Sequence, residues 1–448
     1  MAGVSAARKR AVLLGVQLPG VSDEEFASSL DELARLGKTL GFEIAGRQTQ
    51  RRARLDAGAV VGEGKLRELA GWTGGRGTVG ESAAKGGADE AAEPDEEPAA
   101  EARADLVLVD HELGPTQARN LERATGAEVL DRTAVILAIF QRHARSREAR
   151  LQVEIARLTY LAPRLREMGA GRDRQTGGIG GRGAGESASE LDRRKVRDRI
   201  AELRGELAEI ERSAGTRRRR RGDQPTVALV GYTNAGKSSW MRALTGSGVL
   251  VEDKLFATLD TTVRALHPES VPRILVSDTV GFIKKLPHDL VASFRSTLDE
   301  ARECDLLVHV VDASDPAFPA QMQVTLAVLA EIGAGEEPRL VLLNKADRLD
   351  AEARARLARE RPESRLVSVR APGDVAAVRE AIVAHFERGM VEEELFVPYT
   401  RQRAVGEAHA TARVLAETHD AKGTRLRLRG RPDVLARLRA LVEGAGRG

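Results

Sequence analysis

The sequence predicts an α/β protein in four parts. These are an N-terminal parallel α/β domain, a long antiparallel helical hairpin, a second α/β domain opened by a phosphate-binding loop, and a small C-terminal α/β appendage. Three observations predict it. Short apolar runs alternate with helical patterns over two long stretches, which is the signature of parallel sheets covered by helices. Between those stretches lie two amphipathic helical segments joined by a glycine-rich tip. The chain has 448 residues, of which 42% are hydrophobic, enough for several separate cores.

Within residues 1–140 the runs "AVLLGVQLP", "FEIAGRQT", "DLVLVD" and "AEVLD" read as strands. "SDEEFASSLDELARLGKTL" reads as a helix capped by Ser22 or Asp23, and "GPTQARNLERAT" and "RTAVILAIFQRHA" as two more. Residues 71–104 form a Gly/Ala/Glu/Pro tract with almost no apolar content, expected to be a disordered insertion. Residues 141–222 carry the hairpin. Leu151, Ile155, Leu158, Leu161 and Leu165 line one helix face, and Leu191, Ile200, Leu203, Leu207 and Ile210 another, on either side of "GAGRDRQTGGIGGRGAGES". The run "RRRRRG" at 217–222 is expected to act as a solvated linker or a binding element. In residues 223–390 "TVALV", "RILVSD", "DLLVHVVD", "RLVLLN" and "RLVSV" read as strands. In 391–448 "EELFVP", a helix, "TRLRLRG" and "RPDVLARLRALV" suggest the appendage.

Charge is uneven. Net charge is only +3, yet residues 141–221 hold 22 Lys/Arg against 12 Asp/Glu, a local net of +10. A basic segment on an otherwise acidic chain points to a polyanionic partner. The single cysteine, Cys304, excludes an internal disulfide and fits a reducing compartment. No window approaches the roughly 18 apolar residues of a membrane span, so a soluble, cytoplasmic protein is expected.

"TVALVGYTNAGKSS" places Gly231, Tyr232, Thr233, Asn234, Ala235, Gly236, Lys237, Ser238 and Ser239 between a strand and a helix, a complete phosphate-binding loop in its required context. Its backbone amides and the helix N-terminus cradle phosphates. Lys237 supplies a point charge to the β- and γ-phosphates, and Ser238 offers its hydroxyl to Mg²⁺. "ILVSDTVG" puts Asp278 at a strand end to hold a Mg²⁺-bound water, followed by Thr279, Val280 and Gly281, whose amide can meet the γ-phosphate. "LVLLNKAD" puts Asn344, Lys345, Ala346 and Asp347 at another strand end. A carboxylate there accepts both N1–H and N2–H of guanine, which adenine cannot supply. GTP and GDP are therefore the expected ligands. Thr258, Thr261 and Thr262 are equal candidates for the switch threonine on spacing alone, and "LVSVRAPGD" offers Ser368, Val369 and Arg370 as the last base-contacting loop.

In Ras-type enzymes a glutamine follows the sensor glycine and orients the attacking water. Here the residue is Phe282, in "DTVGFIKKLPHDL". A phenyl ring cannot hydrogen-bond water. It either points away from the phosphates or packs beneath the helical pattern "HDLVASFRSTLDEA", and both arrangements imply slow intrinsic turnover that a partner can raise.

"VVGEGKLREL", "LGPTQARNLERATGAEVLDRTAVILAIFQRHARSREARLQVEIARLTYLAPRL", "GGIGGRG", "DRRKVRDRI", "GYTNAGKS", "LFATLD", "DTVGFIKKLPHDLVASFRSTL" and "LFVPY" together resemble the HflX family, within the Obg–HflX group of translation-factor-related P-loop GTPases. The likeness spans almost the whole chain. It implies a P-loop GTPase (G) domain at 223–390. It also implies that Thr258 is the Mg²⁺-linked switch threonine, with Phe256, Ala257, Leu259 and Asp260 beside the nucleotide, and that Lys237, Thr258 and Gly281 carry catalysis. It further implies a partner in the large ribosomal subunit, reached by the hairpin tip near the peptidyl-transferase region, a role in splitting or rescuing stalled ribosomes, and a cytoplasmic, at most peripherally membrane-associated monomer. The chain departs from the family pattern in "RGAGESASE" for "RGPGETQLE", in "SSWMRAL" after Lys237, and in "LDTT".

Overall fold

The computed structural model describes residues 8–79, 103–173, 188–221, 224–246, 255–256, 259, 262–285 and 295–443. Two compact units divide the chain: Met1–Ala208 with Lys285–Ser293, and Glu209–Lys284 with Phe294–Gly448.

In the first unit β1 (Arg10–Gln17), β2 (Glu43–Arg51), β3 (Leu106–Val109) and β4 (Glu128–Asp131) form an all-parallel sheet in the order β2-β1-β3-β4. Its helices are α1 (Asp23–Thr39), α2 (Glu63–Thr73), α3 (Pro115–Thr125) and α4 (Arg132–His143). Ser22 caps α1, its hydroxyl accepting from the Glu25 amide. β1 and β3 are buried on both faces, as parallel strands covered by helices must be. The interior also holds charge. Buried Arg132 bridges Glu32 and Asp110, and Asp110 further accepts from Ser29 Oγ and Lys285 Nζ, each at 2.7 Å. One guanidinium cannot neutralise two buried carboxylates, and Lys285 supplies the missing charge.

The insertion begins later than expected. Residues 71–73 complete α2, a helix whose thin apolar stripe gives little periodic signal. Trp72 and Val79 pack on the core, Trp72 lying over the bare backbone of Gly46. A tryptophan carries enough apolar area to anchor an otherwise glycine-rich segment. Residues 80–102 lie outside the described residues.

α5 (Arg147–Asp173) and α6 (Ala188–Arg221) make the hairpin. Arg147 pairs with Glu206, and Glu154 is close enough to act electrostatically on Arg199. That descending pairing means the helices run antiparallel. Helix α6 continues through the arginine run to Arg221 rather than ending in a linker. The tip, 174–187, lies outside the described residues.

The second unit contains a six-stranded sheet in the order β10-β9-β8-β5-β7-β6. Its strands are β5 (Thr226–Val230), β6 (Thr262–Ala265), β7 (Leu275–Asp278), β8 (Leu306–Asp312), β9 (Arg339–Asn344) and β10 (Arg365–Leu366). All pairs are parallel except the edge strand β6. The helices are α7 (Lys237–Thr245), α8 (Arg295–Arg302), α9 (Phe318–Glu331), α10 (Ala351–Glu360) and α11 (Pro372–Glu387). Trp240 and Met241 of the divergent "SSWMRAL" are fully buried, so this departure is core packing.

His309, in β8, is 1% exposed, and neither ring nitrogen has a hydrogen-bond partner among the described residues. Burial, with Arg339 and Lys237 adding repulsion, pushes its pKa down to about 4. An unfolded imidazole titrates near 6.5. Between those values the unfolded chain binds a proton that the folded chain refuses, so stability rises with pH across the window. Moving from pH 7 to pH 5 should cost this domain about 2 kcal/mol. Melting curves of wild type and His309→Val at both pH values check this. The variant should lose clearly less on acidification, because any cavity penalty cancels within each protein.

A last sheet of β11 (Val391–Pro398), β12 (Arg413–His419) and β13 (Gly423–Gly430), ordered β11-β13-β12 and antiparallel throughout, packs on α12 (Arg403–Thr411) and α13 (Pro432–Glu443). β12 was not apparent from sequence, because most of its residues are exposed and it lacks an apolar alternation.

Candidate nucleotide site

Strands β5, β7, β8 and β9 end at one edge of the sheet, where ligands of open parallel sheets bind. The loop 231–236 leaves β5 there and enters α7. Gly231 has φ +146°, and a Cβ on it would lie 2.1 Å from the Val310 carbonyl oxygen. Only glycine fits. Asn234 takes φ +62°, a left-handed conformation that asparagine tolerates. Lys237, 6% exposed, donates from Nζ to the carbonyls of Gly231 at 3.0 Å and Tyr232 at 2.9 Å. Burial pushes its pKa down to about 8, with Asp278 opposing.

Ser238 Oγ donates to Asp278 Oδ2 at 2.8 Å. A hydroxyl beside a carboxylate is the hard-oxygen donor set that suits Mg²⁺. Asp278 and Thr279 are fully buried at the end of β7, and Thr279 Oγ1 donates to the Leu229 carbonyl at 2.8 Å. Val280 and Gly281 follow. A Cβ on Gly281 would come within 2.8 Å of Thr233 Cα and 3.0 Å of Lys237 Nζ, so the sensor glycine passes against the phosphate loop.

Phe282 is 1% exposed. Its amide donates to the Gly231 carbonyl at 3.2 Å, and its own carbonyl accepts from the Thr233 amide at 2.7 Å, a strand-like rung between phosphate loop and sensor. The Lys284 amide donates to Tyr232 Oη at 2.7 Å. Returning the ring to water would cost about 1.5–3 kcal/mol plus two hydrogen bonds. Residue 282 therefore packs and does not hold water. On the other side the Phe256 amide donates to Thr233 Oγ1 at 3.1 Å, with Phe256 at φ +57°. Tyr232 and Thr233 thus join the segment at Phe256 to the segment at Phe282–Lys284, a coupling the sequence did not reveal. Phe256 and Leu259 are buried. Ala257, Thr258, Asp260 and Thr261 lie outside the described residues, and Thr262 opens β6.

At the end of β9 Asn344 Nδ2 donates to the Ala235 carbonyl at 2.8 Å, and its Oδ1 accepts from the Val369 amide at 3.3 Å. Lys345 Nζ reaches the Asn234 carbonyl at 2.9 Å and Asp312 Oδ2 at 2.7 Å. Asp312 was not singled out from sequence, although it ends "LLVHVVD" as Asp278 ends "ILVSD". Ala346 is buried, and Asp347 Oδ1 accepts from Ser368 Oγ at 2.6 Å. That hydrogen bond is the main force holding the Asp347 carboxyl below the usual carboxylate range. Arg370 Nη1 sits 3.4 Å from Asp347 Oδ2. The phosphate loop, Asp278–Gly281, Asn344–Asp347 and Ser368–Arg370 converge on one crevice that can take phosphates at one end and a base with paired donors at the other.

Family profiles cover most of the chain: "GTP-binding GTPase N-terminal" at residues 27–78 and 83–141, "GTP-binding GTPase Middle Region" at 143–221 and "50S ribosome-binding GTPase" at 226–345. A protein named GTPase HflX from Gluconacetobacter diazotrophicus is 57% identical over 439 residues, 96% of this chain and 97% of its own. Proteins of the same name from Magnetococcus marinus and Caldanaerobacter subterraneus are 40% and 37% identical, over 98% and 97% of this chain and 96% and 94% of theirs. Among solved structures, an SsGBP–GDP complex aligns with 84% of this chain and 98% of its own, at 24% identity and a TM-score of 0.46.

Proposed function

Because the chain belongs to the HflX family of GTPases, we propose that it binds Mg²⁺ and GTP in the strand-end crevice, hydrolyses GTP slowly alone and faster on the large ribosomal subunit, and splits or rescues stalled ribosomes in the cytoplasm under stress. The observation that carries the slow, partner-dependent part is the rung at Phe282: the residue after the sensor glycine is locked by its backbone and buried by its ring. No side chain at that position can orient the attacking water, so backbone groups or the ribosome must do so.

In this reading Lys237 leaves the Gly231 and Tyr232 carbonyls for the β- and γ-phosphates, and the Gly281 amide meets the γ-phosphate. Ser238 and Thr258 would hold the metal with Asp278 beside them, and the ion would supply charge neutralisation at the phosphate oxygens. Asp347 reads the base. The basic hairpin supports an rRNA partner, and no helix among the described residues is long and apolar enough to cross a membrane.

Single-turnover GTP hydrolysis with and without purified large subunits, together with co-sedimentation across a salt series, tests this. Large subunits should raise the rate at least about tenfold, and binding should fall steeply with salt as phosphate contacts release counterions. Changing Arg172, Arg174 and Arg182 together to alanine should weaken pelleting and remove most of the stimulation, with basal hydrolysis near wild type. No stimulation and no pelleting in any nucleotide state would leave a GTP-binding protein without this partner.

A further inference from the structure

The C-terminal sheet has two faces. Leu395, Val397, Leu426 and Leu428 pack on α12 and α13. The other face is open, and the register sets its rows: Glu392, Arg429 and Arg413 across one, Glu394, Arg427 and Ala416 across the next, Phe396, Arg425 and Thr418 across the third. Among the described residues no element covers it, and Phe396 is 36% exposed. The central strand β13 therefore presents an arginine at every second position, beside a flat aromatic ring. Arg425 already lies over that ring, 5.8 Å from its centroid.

We propose that this open face is a platform for single-stranded RNA. Folding accounts for the ring in part, since Phe396 lies across the bare backbone of Gly423 on the neighbouring strand. It does not account for the arginines, because alternating arginines on a central strand are not chosen for β propensity. Four arginines stand against Glu392, Glu394 and, reaching in from α11, Glu387, a net of +1. The ion pairs present, Arg427 with Glu392 at 2.7 Å and Arg413 with Glu387 at 3.3 Å, are exposed and therefore weak, so phosphates can replace them. Alternate residues of a strand stand about 6.8 Å apart, a spacing along which an extended phosphodiester chain can be met one phosphate at a time. Guanidinium forks bind phosphate oxygens bidentately. The Phe396 ring can stack any base, because every base has a π-face. An acidic peptide would use the arginines and leave the ring idle, which favours RNA. That the RNA is ribosomal rests on the function proposed above; the chemistry of the platform does not.

The test uses the full chain and a fluorescein-labelled oligouridine, read by anisotropy over a salt series, with 4-thiouridine crosslinks mapped on the protein. The basic hairpin can bind the same probe, so the signatures must separate the two. Phe396→Ala should weaken binding about tenfold with the salt slope unchanged. Arg425→Gln with Arg427→Gln should weaken binding and lower the slope by about 1.4. Crosslinks should appear within 391–430. Arg425 and Arg427 are exposed, so the arginine variant should melt like wild type, whereas Phe396→Ala uncovers Gly423 and should melt somewhat lower while staying folded at the assay temperature. Crosslinks confined to the hairpin, with affinity and slope unchanged in both variants, overturn the proposal. So does tight binding of labelled polyglutamate that the arginine variant abolishes while RNA affinity stays intact, since that assigns the face to an acidic protein. If the platform binds oligouridine but both variants pellet normally with large subunits, the platform stands and its ribosomal role falls. If both variants bind oligouridine normally while the tip variant loses the ribosome, the platform falls and the ribosomal reading stands.

Discussion

Lys237→Ala should abolish measurable GTP binding while leaving the fold in place. Two charge-assisted hydrogen bonds to phosphate oxygens are lost, each worth about 1.5–3 kcal/mol, so affinity should drop about 10²- to 10⁴-fold. Stability should move the other way. Lys237 is buried in a site that pushes its pKa down to about 8 despite Asp278, and among the described residues its ammonium donates to two carbonyls, those of Gly231 and Tyr232. Holding a desolvated cation there works against the folded state. Lys237→Met keeps the apolar stem and removes the charge, so its nucleotide-free melting temperature should equal or exceed that of wild type. Calorimetric titration with Mg²⁺ and GTP, paired with thermal melts, checks both halves. Unchanged affinity would remove the phosphate loop from the site. A large loss of stability in Lys237→Met would mean that the ammonium braces the loop and is not held ready for phosphate.

The site was legible where its chemistry is local in sequence. The phosphate loop needs its glycines and its lysine within eight consecutive residues, and the strand-end acids announce themselves after apolar runs. Spacing could not choose a switch threonine, and family likeness supplied Thr258. Nothing local disclosed that Tyr232 and Thr233 join these two segments, because the Phe282 rung and the Phe256 contact form only when distant loops meet. The fold behaved similarly. Strands buried on both faces, such as β3 and β8, stood out as apolar runs. The exposed strand β12 had no periodic signal to give, and helix α2 was missed because its apolar stripe is thin. Trp72 was misread because composition averaged over 34 residues hides one large side chain that finds a bare glycine to lie on. The departure from the family pattern in "SSWMRAL" is core packing under the loop, with Trp240 and Met241 filling it.

Asp347→Asn should exchange guanine for xanthine. The carboxylate is ionised, held low chiefly by the Ser368 hydroxyl on Oδ1, and two acceptor oxygens match the N1–H and N2–H₂ of guanine. Asparagine keeps one acceptor and gains a donor. Ser368 will keep the amide oxygen on its own side, so the new NH₂ takes the place of Oδ2, where it faces the 2-amino group of guanine but can donate to the 2-oxo group of xanthine. Arg370 stands 3.4 Å from Oδ2, and its side chain is 74% exposed. It will swing into solvent at little cost, because exposed ion pairs contribute at most about 1 kcal/mol. Two bonds to a charged acceptor lost for guanine amount to about 3–6 kcal/mol, or about 10²- to 10⁴-fold in affinity. Xanthine nucleotides should gain in the same substitution, since they no longer meet a carboxylate that repels their 2-oxo group. Competition of GDP and XDP against a fluorescent nucleotide reads both changes at once. A variant that kept its full preference for GDP would show that Asp347 shapes the loop through Ser368 and does not read the base. A variant that lost both nucleotides equally, with the melt unchanged, would place Asp347 at the nucleotide without giving it the choice of base.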